Sequence, residues 1–512
     1  METNSFEKKF VIALDIGTTN LKCHLYSKDM NLISKRNIPI HLLCMGDGTV
    51  EIQPNVLWDS VVFIVNQVLI DANITANQVL CLGISSQRGT FITWDSVTKR
   101  PFHNFITWKD TRANFDIMKW NKSIFFKILK FCCYCLYLVS GSSRFLTASL
   151  LKFTTSQVTV RLFWILKTNK KLKNAVKNGT AMFGTLDTWL LYRLTNGKSY
   201  LSDVSSVSGT GMYDPFTMSW ISMKLFGIPN SILPNMCDSA GTHFGSVSSD
   251  IWGSEILITC CIADQSAALY GSCCFSRGDI KITLGTGAFF NINVGSVIEA
   301  SKTGFYPLIG WNYEGNRAYV LESSFDDCGT VIDWAHSVGF IKNMQDLSKI
   351  MKSFKDTEDI YFIPAFSNSY MGKTQIGSGF IGIKSTTKKT HLIRAIVRSI
   401  VFRIYDLYLT HVTDISFKKL GTPSLLRVNG GVSNNDFICQ SVADICYIKV
   451  VRPACVDVTV RGAALLAGHA VGLRTDSINE NIGENFYPNE IRKNTLRSMY
   501  TEWAKVRSRF LK

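Results

Sequence analysis

Two short glycine–threonine turns, each following an apolar strand, are the clearest chemical feature of this chain. The first runs Val11-Ile12-Ala13-Leu14-Asp15-Ile16-Gly17-Thr18-Thr19-Asn20-Leu21-Lys22. The second runs Ile280-Lys281-Ile282-Thr283-Leu284-Gly285-Thr286-Gly287-Ala288-Phe289-Phe290. A strand, a tight turn without bulk and a second strand place backbone N–H groups and hydroxyls around an oxyanion. An aspartate ending a buried strand, as Asp15 does, is costly unless a cation accompanies it. Two such clips, one per half, predict a duplicated fold that holds the tail of a nucleotide between lobes.

The elements that must position these clips alternate in type. Strands over 11–14, 21–26 and 32–39 form a predicted meander, and Pro54 opens a helix that runs through Trp58, Val61, Val62 and Ile64 to Ile70. A strand over 79–85 ends on Ser86-Gln87-Arg88, and residues 183–194 read as a helix with Asp187 near its first turn. In the second half Thr390 is placed to cap a helix with Ile396, Ile400, Ile404 and Leu407 on its apolar face. A strand at 426–431 runs into a turn, and Asn434 or Asn435 starts a helix over 437–446. Residues 461–468 form a helix with a small-residue face, which permits close packing. Strands followed by helices in both halves predict an α/β protein, divided near 274–278.

Composition narrows the function classes. The chain has 512 residues, 46% of them apolar, enough for two or more domains with ample core. The net charge of +16 suits phosphate-bearing substrates, and with no run of five Lys or Arg and no nucleic-acid motif, no nucleic-acid partner is expected. Fifteen cysteines and a polar, charged N-terminus predict reduced thiols and a cytoplasmic location. Cys132 and Cys135 form one C-x-x-C with no second pair at zinc spacing, so they read as ordinary thiols. The apolar stretch 124–139 is interrupted by Lys127 and Lys130 and falls short of the ~20 residues of a membrane span. It predicts a buried or interfacial helix, through which membrane contact is one reading.

Seven strings in order carry a resemblance. They are Leu14-Asp15-Ile16-Gly17-Thr18-Thr19, Gly83-Ile84-Ser85-Ser86-Gln87-Arg88, Trp108-Lys109-Asp110-Thr111-Arg112, Gly184-Thr185-Leu186-Asp187-Thr188-Trp189, Ala263-Asp264-Gln265-Ser266-Ala267-Ala268, Gly285-Thr286-Gly287 and Asn429-Gly430-Gly431-Val432-Ser433-Asn434-Asn435. Together they resemble the glycerol kinases of the FGGY carbohydrate kinase family, from about residue 10 to residue 508. The resemblance implies two actin-like (ribonuclease H-like) ATPase domains, over 10–274 and 275–510, with a catalytic cleft between them and an insertion at about 115–153. The insertion, and Gln-Arg-Gly in place of Gln-Arg-Glu, resemble a divergent animal branch.

What the resemblance implies about the site can be stated residue by residue. Asp15 matches the carboxylate that holds Mg²⁺ beside the phosphates of ATP. Thr18, Thr19 and Asn20 match phosphate donors, and Lys22 stands where an Arg is usual, keeping the charge without the bidentate geometry. Asp264 matches the general base that takes the acceptor's proton. Thr286 matches a contact to the γ-phosphate, Gly329 a nucleotide-binding position, and Gly430, Gly431 and Asn435 lie against adenine and ribose in the family's pattern. Arg88, Asp264 and Gln265 match the groups that hold glycerol's hydroxyls, and Trp108 and Phe289 the walls against its carbons. A homo-oligomer is compatible with the resemblance.

Four departures are visible. Gly89 stands where a Glu accepts acceptor hydroxyls, no Tyr matches a further glycerol contact, Asn429 replaces an Asp, and residues 367–373 replace a Pro/Trp/Asp-bearing loop. A missing partner in a site built to bond hydroxyls changes selectivity or makes room for a larger acceptor. The expected activity is ATP-dependent phosphorylation of glycerol. The alternatives are the same chemistry on another polyol or sugar, or a nucleotide-bound regulator with weak catalysis.

Overall fold

Strand pairing follows the same plan in both halves of the chain. The computed structural model describes residues 8–510 apart from 222–225, 343–346, 348, 352–358, 367–376, 414–422, 424 and 474–482, so the divergent loop at 367–373 lies outside the described residues. The first sheet contains β1 (Phe10–Ile16), β2 (Asn20–Ser27), β3 (Leu32–Pro39), β4 (Val79–Ser86), β5 (Ser246–Val247) and β6 (Ile256–Ala263), ordered β5-β6-β4-β1-β2-β3. The first three strands form an antiparallel meander, and β4 and then β6 add in parallel. The second sheet contains β7 (Ile280–Leu284), β8 (Ala288–Gly295), β9 (Tyr306–Tyr313), β10 (Asn316–Phe325), β11 (Leu425–Asn429), β12 (Lys449–Pro453) and β13 (Gly483–Phe486), ordered β9-β10-β8-β7-β11-β12-β13. Strand β7 pairs antiparallel with β8 and parallel with β11, as β1 pairs with β2 and β4. The two clips are the equivalent β1–β2 and β7–β8 turns of an α/β duplication.

The local sequence explains these elements. Val11 to Ile16 are all buried, an uninterrupted run that fits a strand covered on both faces. Helix α1 (Pro54–Asp71) starts on the predicted proline and buries Leu57, Val61, Ile64, Val65 and Val68 along one stripe. The polypeptide leaves the first sheet at Ala263 and enters the second at Ile280.

The stretch expected to be an insertion forms helices α2 (Asn114–Lys122) and α3 (Ile124–Ser140) and a shorter helix at Ser143–Leu150. Ser123 caps α3 by accepting from the Phe126 N–H at 3.3 Å, and Gly141 ends it in the left-handed region. Phe126 is the one fully buried residue of α3; its ring stacks on Phe153 at 5.0 Å, and Phe153 meets Phe226 edge-on at 5.5 Å.

Two further helices cross where the sheets face each other: α4 (Asp264–Gly271), which follows β6 directly, and α5 (Val458–His469). A Cβ on Gly462 would strike the Ala267 carbonyl, one on Gly271 the Val458 carbonyl, and one on Gly83 the Ala463 carbonyl. The helices therefore touch backbone to backbone, the close packing expected of 461–468. Val11, Ala13 and Ile262 of the first sheet and Trp311 and Val320 of the second complete this central cluster.

Two boundaries differ from the sequence reading. Residues 183–185 belong to a strand, Ala181–Thr185, that pairs antiparallel with Phe91–Asp95, and the helix begins only at Leu186. Cross-strand pairing overrides the helical pattern there. Thr390 lies inside the helix Lys389–Thr413 and not at its cap.

Candidate active site

The parallel strands β1, β4 and β6 end side by side. In register, Asp15 lies across from Ser85, Ile16 from Ser86, and Ala263 from Ser86 on the other flank. The same edge thus presents Asp15, the 85–88 segment and Asp264. Asp264 is held by its surroundings: the Ala263 N–H donates to Ser205 Oγ at 2.8 Å, the Ser205 hydroxyl donates to Asp203, and the Gln265 N–H donates to Asp264 Oδ1 at 2.8 Å. Burial raises the Asp264 carboxyl above the ordinary range, opposed by the Arg88 guanidinium.

Asp15 is buried, and its Oδ1 has no hydrogen-bond partner. Burial pushes its carboxyl up to about 7, against the pull of Lys22. An unpartnered buried carboxylate oxygen beside an oxyanion clip fits a hard cation such as Mg²⁺. Among the described residues no three His, Cys, Asp or Glu side chains converge. A cation at Asp15 would therefore draw its other ligands from phosphate oxygens and water.

The first clip is closed by the Gly17 N–H donating to the Asn20 carbonyl at 3.0 Å. Gln87 Nε2 donates to the Gly17 carbonyl at 3.0 Å, Thr18 Oγ1 donates to Gln87 Oε1 at 3.2 Å, and Trp108 Nε1 donates to Thr18 Oγ1 at 2.9 Å. Thr18 is thus bonded to both Gln87 and Trp108, while Thr19 is exposed. Lys22 turns from the expected phosphates toward Asp457, 2.6 Å away and just before α5. That ion pair ties β2 to the second half of the chain.

The second clip is closed by the Gly285 N–H donating to the Gly287 carbonyl at 2.9 Å, and it leaves Thr286 exposed. Gly329 opens the helix Gly329–Ser337 against it: its N–H donates to the Gly285 carbonyl at 2.9 Å, and a Cβ there would lie 2.6 Å from that oxygen. Gly430 has φ 93°, and a Cβ would lie 2.5 Å from the Leu284 carbonyl, so β11 turns away from β7 only with glycine. Beyond it opens a cavity of about 410 Å³ lined by Asn429, Gly430, Ser433, Asn434, Arg452 and Cys455. Gly431 has open space where a side chain would stand. Asn435 does not line this cavity; its Oδ1 caps the helix Asp436–Cys446, accepting from Phe437 N–H at 3.0 Å and Ile438 N–H at 3.4 Å.

Of the residues expected at the acceptor, Trp108 of the first lobe meets Phe289 of the second edge-on, with centroids 6.3 Å apart. Arg88 pairs with the buried Glu322 of β10. Glu322 also accepts from Tyr306 OH at 2.7 Å and Asn291 Nδ2 at 2.6 Å. Burial alone would raise the Glu322 carboxyl, but Arg88 and these donors hold it below the ordinary value. Gln265 accepts from Lys281 Nζ at 3.0 Å, and burial lowers the Lys281 ammonium to about 8.

Sequence reasoning missed Glu322, Tyr306, Asn291 and Lys281. A signal existed for two of them: Lys281 interrupts Ile280 and Ile282, and Glu322 follows Tyr319-Val320-Leu321. A lone charge in an apolar strand is rarely buried unless paired.

Gly89 also has a structural reason. Its φ is +71°, and a Cβ would lie 2.5 Å from the Ser156 carbonyl and 3.3 Å from Trp108 Cβ. The buried Arg161 grips the Gly89 carbonyl at 2.6 Å and the Ser156 carbonyl at 2.8 Å. A side chain at position 89 is therefore excluded at its first carbon by the Ser156 carbonyl and the left-handed backbone.

Comparison with known proteins agrees with this architecture. The model of the FGGY family of carbohydrate kinases, N-terminal domain, matches residues 10–271, and that of its C-terminal domain matches residues 280–471. Glycerol kinase 5 of Homo sapiens is 40% identical over 472 residues, covering 91% of this chain and 88% of that protein. Glycerol kinase of Parabacteroides distasonis is 31% identical over 514 residues, covering 98% of each. The crystal structure of Plasmodium falciparum glycerol kinase with ADP superposes with a TM-score of 0.85 at 26% identity, over 98% of both chains.

Proposed function

Because this chain belongs to the FGGY family of carbohydrate kinases, we propose that it transfers the γ-phosphoryl group of ATP to a terminal hydroxyl of glycerol, giving sn-glycerol 3-phosphate and ADP. The observation that carries this reading is the convergence of Asp264, the Arg88–Glu322 pair and the Trp108–Phe289 walls at the end of β6. The aromatic rings receive the carbon chain, and Arg88 and Gln265 orient its hydroxyls. Asp264 accepts the proton as the hydroxyl oxygen bonds to the γ-phosphorus and the bond to the bridging oxygen of ADP breaks. Its raised carboxyl suits a base working near neutral pH. The first clip, Thr286 and Gly329 face the phosphates, and Gly430 and Gly431 the nucleoside. Asp15 would hold Mg²⁺, which supplies charge neutralisation at the phosphates. Closing the lobes excludes water as a competing acceptor.

Gly89 is the observation that favours another polyol or sugar. The Ser156 carbonyl packs 2.5 Å from where a Cβ at this position would stand, so the glycine also answers a local packing need. The test is ADP release from Mg-ATP across a panel of polyols and sugars, with Asp264→Asn as the blank. Turnover that is strongest on glycerol and falls roughly 10²–10⁴-fold in the variant supports the assignment. Turnover strongest on another acceptor moves the substrate, and ATP binding without turnover on any acceptor makes the chain a nucleotide-bound regulator.

A further inference from the structure

The outward face of α3 is the reverse of an ordinary surface helix. At 100° per residue, Ile124, Phe125, Ile128, Phe131, Leu138 and Val139 fall on the side away from Phe126, and all are exposed, Phe131 to 67% and Val139 to 90%. A helix packed on a globular body normally turns polar residues to solvent. Neighbouring α2 adds Phe115 and Met118, likewise exposed. A contiguous apolar surface of this extent marks an interaction site.

Charge selects the occupant. Between residues 114 and 153 the bases are Lys119, Lys122, Lys127, Lys130, Arg144 and Lys152, against Asp116 as the one acid. Lys302 of the second lobe joins them, its ammonium lying 5.8 Å from the centre of the Tyr137 ring. A second copy of this face would set like charges against each other, whereas an anionic lipid surface complements them. Length decides the orientation: among the described residues no single helix is long and apolar enough to cross a bilayer, and α2 and α3 are bent by 56° to one another. A 17-residue helix, about 25 Å long at ~1.5 Å per residue, lies in the interface and does not span it.

We propose that α2 and α3 form a peripheral anchor that seats this kinase on an anionic membrane surface, with the outward face of α3 sunk among the acyl chains and the lysines at the headgroups. The inference is independent of which acceptor the cleft phosphorylates.

The test is co-sedimentation of the full-length protein with vesicles of phosphatidylcholine alone or containing roughly 30 mol % phosphatidylserine. Binding should be about tenfold stronger on the anionic vesicles, and Ile128→Asp with Leu138→Asp should lower it at least tenfold. Lys119→Gln with Lys127→Gln should erase the anionic preference. Unchanged thermal melting and ADP release in solution would show that these variants are folded. Three results would each overturn the proposal. The protein could remain in the supernatant with both vesicles. The Asp variant could bind as well as the parent. Or lipid-free protein could be a dimer that the Asp variant turns into a monomer, which would give the face to a second copy.

Discussion

Arg88, just beyond β4, and Glu322, within β10, belong to different lobes and form one ion pair beside Asp264. Tyr306 and Asn291 fix the glutamate from its own sheet, so the second lobe presents a preset carboxylate to an arginine of the first. Removing one partner of such a buried pair leaves the other charge uncompensated. Glu322→Gln is therefore expected to lower kcat/KM for the acceptor by about 10²-fold with nucleotide affinity unchanged. Steady-state kinetics decide it, and an effect confined to ATP would contradict a place at the acceptor.

Gly89→Glu, which would restore the family's usual residue, is expected to fail. The left-handed backbone and the Ser156 carbonyl leave no room for a Cβ, so both Gly89→Ala and Gly89→Glu should cost about 1–3 kcal/mol in stability. Denaturant melts measure this cost. A Glu variant that is fully stable and selectively faster on glycerol would show that the segment relaxes freely.

Asp15→Asn tests the cation site. Replacing an unpartnered buried carboxylate by a neutral isostere should raise the melting temperature of metal-free protein by a few degrees. It should also abolish the extra stabilisation that Mg²⁺ adds to ADP. Calorimetry with ADP, with and without Mg²⁺, separates the two effects; an intact Mg²⁺ increment would place the cation elsewhere.

Lys281 sets a pH dependence. Buried, its ammonium titrates at about 8 instead of the ordinary 10.5. Below that pH it is charged and donates to Gln265; above it the proton is lost, so acceptor KM should rise on the alkaline side with a midpoint near 8. Lys281→Met should flatten the profile. For stability the sign is opposite. Between about 8 and 10.5 the native state binds fewer protons than the unfolded chain, so this group's penalty fades as pH rises through that window. Melts at both ends of the range, with Lys281→Met as reference, check it.

The clips were legible because everything that makes them is local: an apolar strand, a turn without bulk, a second strand. Asp264 was legible for the same reason, standing between a strand and a helix with small residues. Glu322, Asn291 and Tyr306 were not. They meet because Asn291 and Tyr306 both lie across from Glu322 in the β8–β10 and β9–β10 ladders, and register between strands is a tertiary property. Asn435 carried two expectations, starting a helix and facing the nucleotide, because one side chain can do either; its Oδ1 caps the helix as the first expects. The exposure of α3 ran against its apolar composition, which on its own argues for burial.

The glycine-lined crossing of α4 and α5 has a mechanical consequence. Where two backbones touch with no side chain between them, there is nothing to slide or compress, so opening the cleft with this contact intact amounts to rotation about it. Displacement in such a rotation grows with the length of the lever arm. Asp264 is the first residue of α4, and Asp457, which grips Lys22, immediately precedes α5, so both stand close to the axle. Parts of each lobe far from this crossing would sweep the larger arcs. Asp264, the proposed base, would then shift little as the lobes open and close.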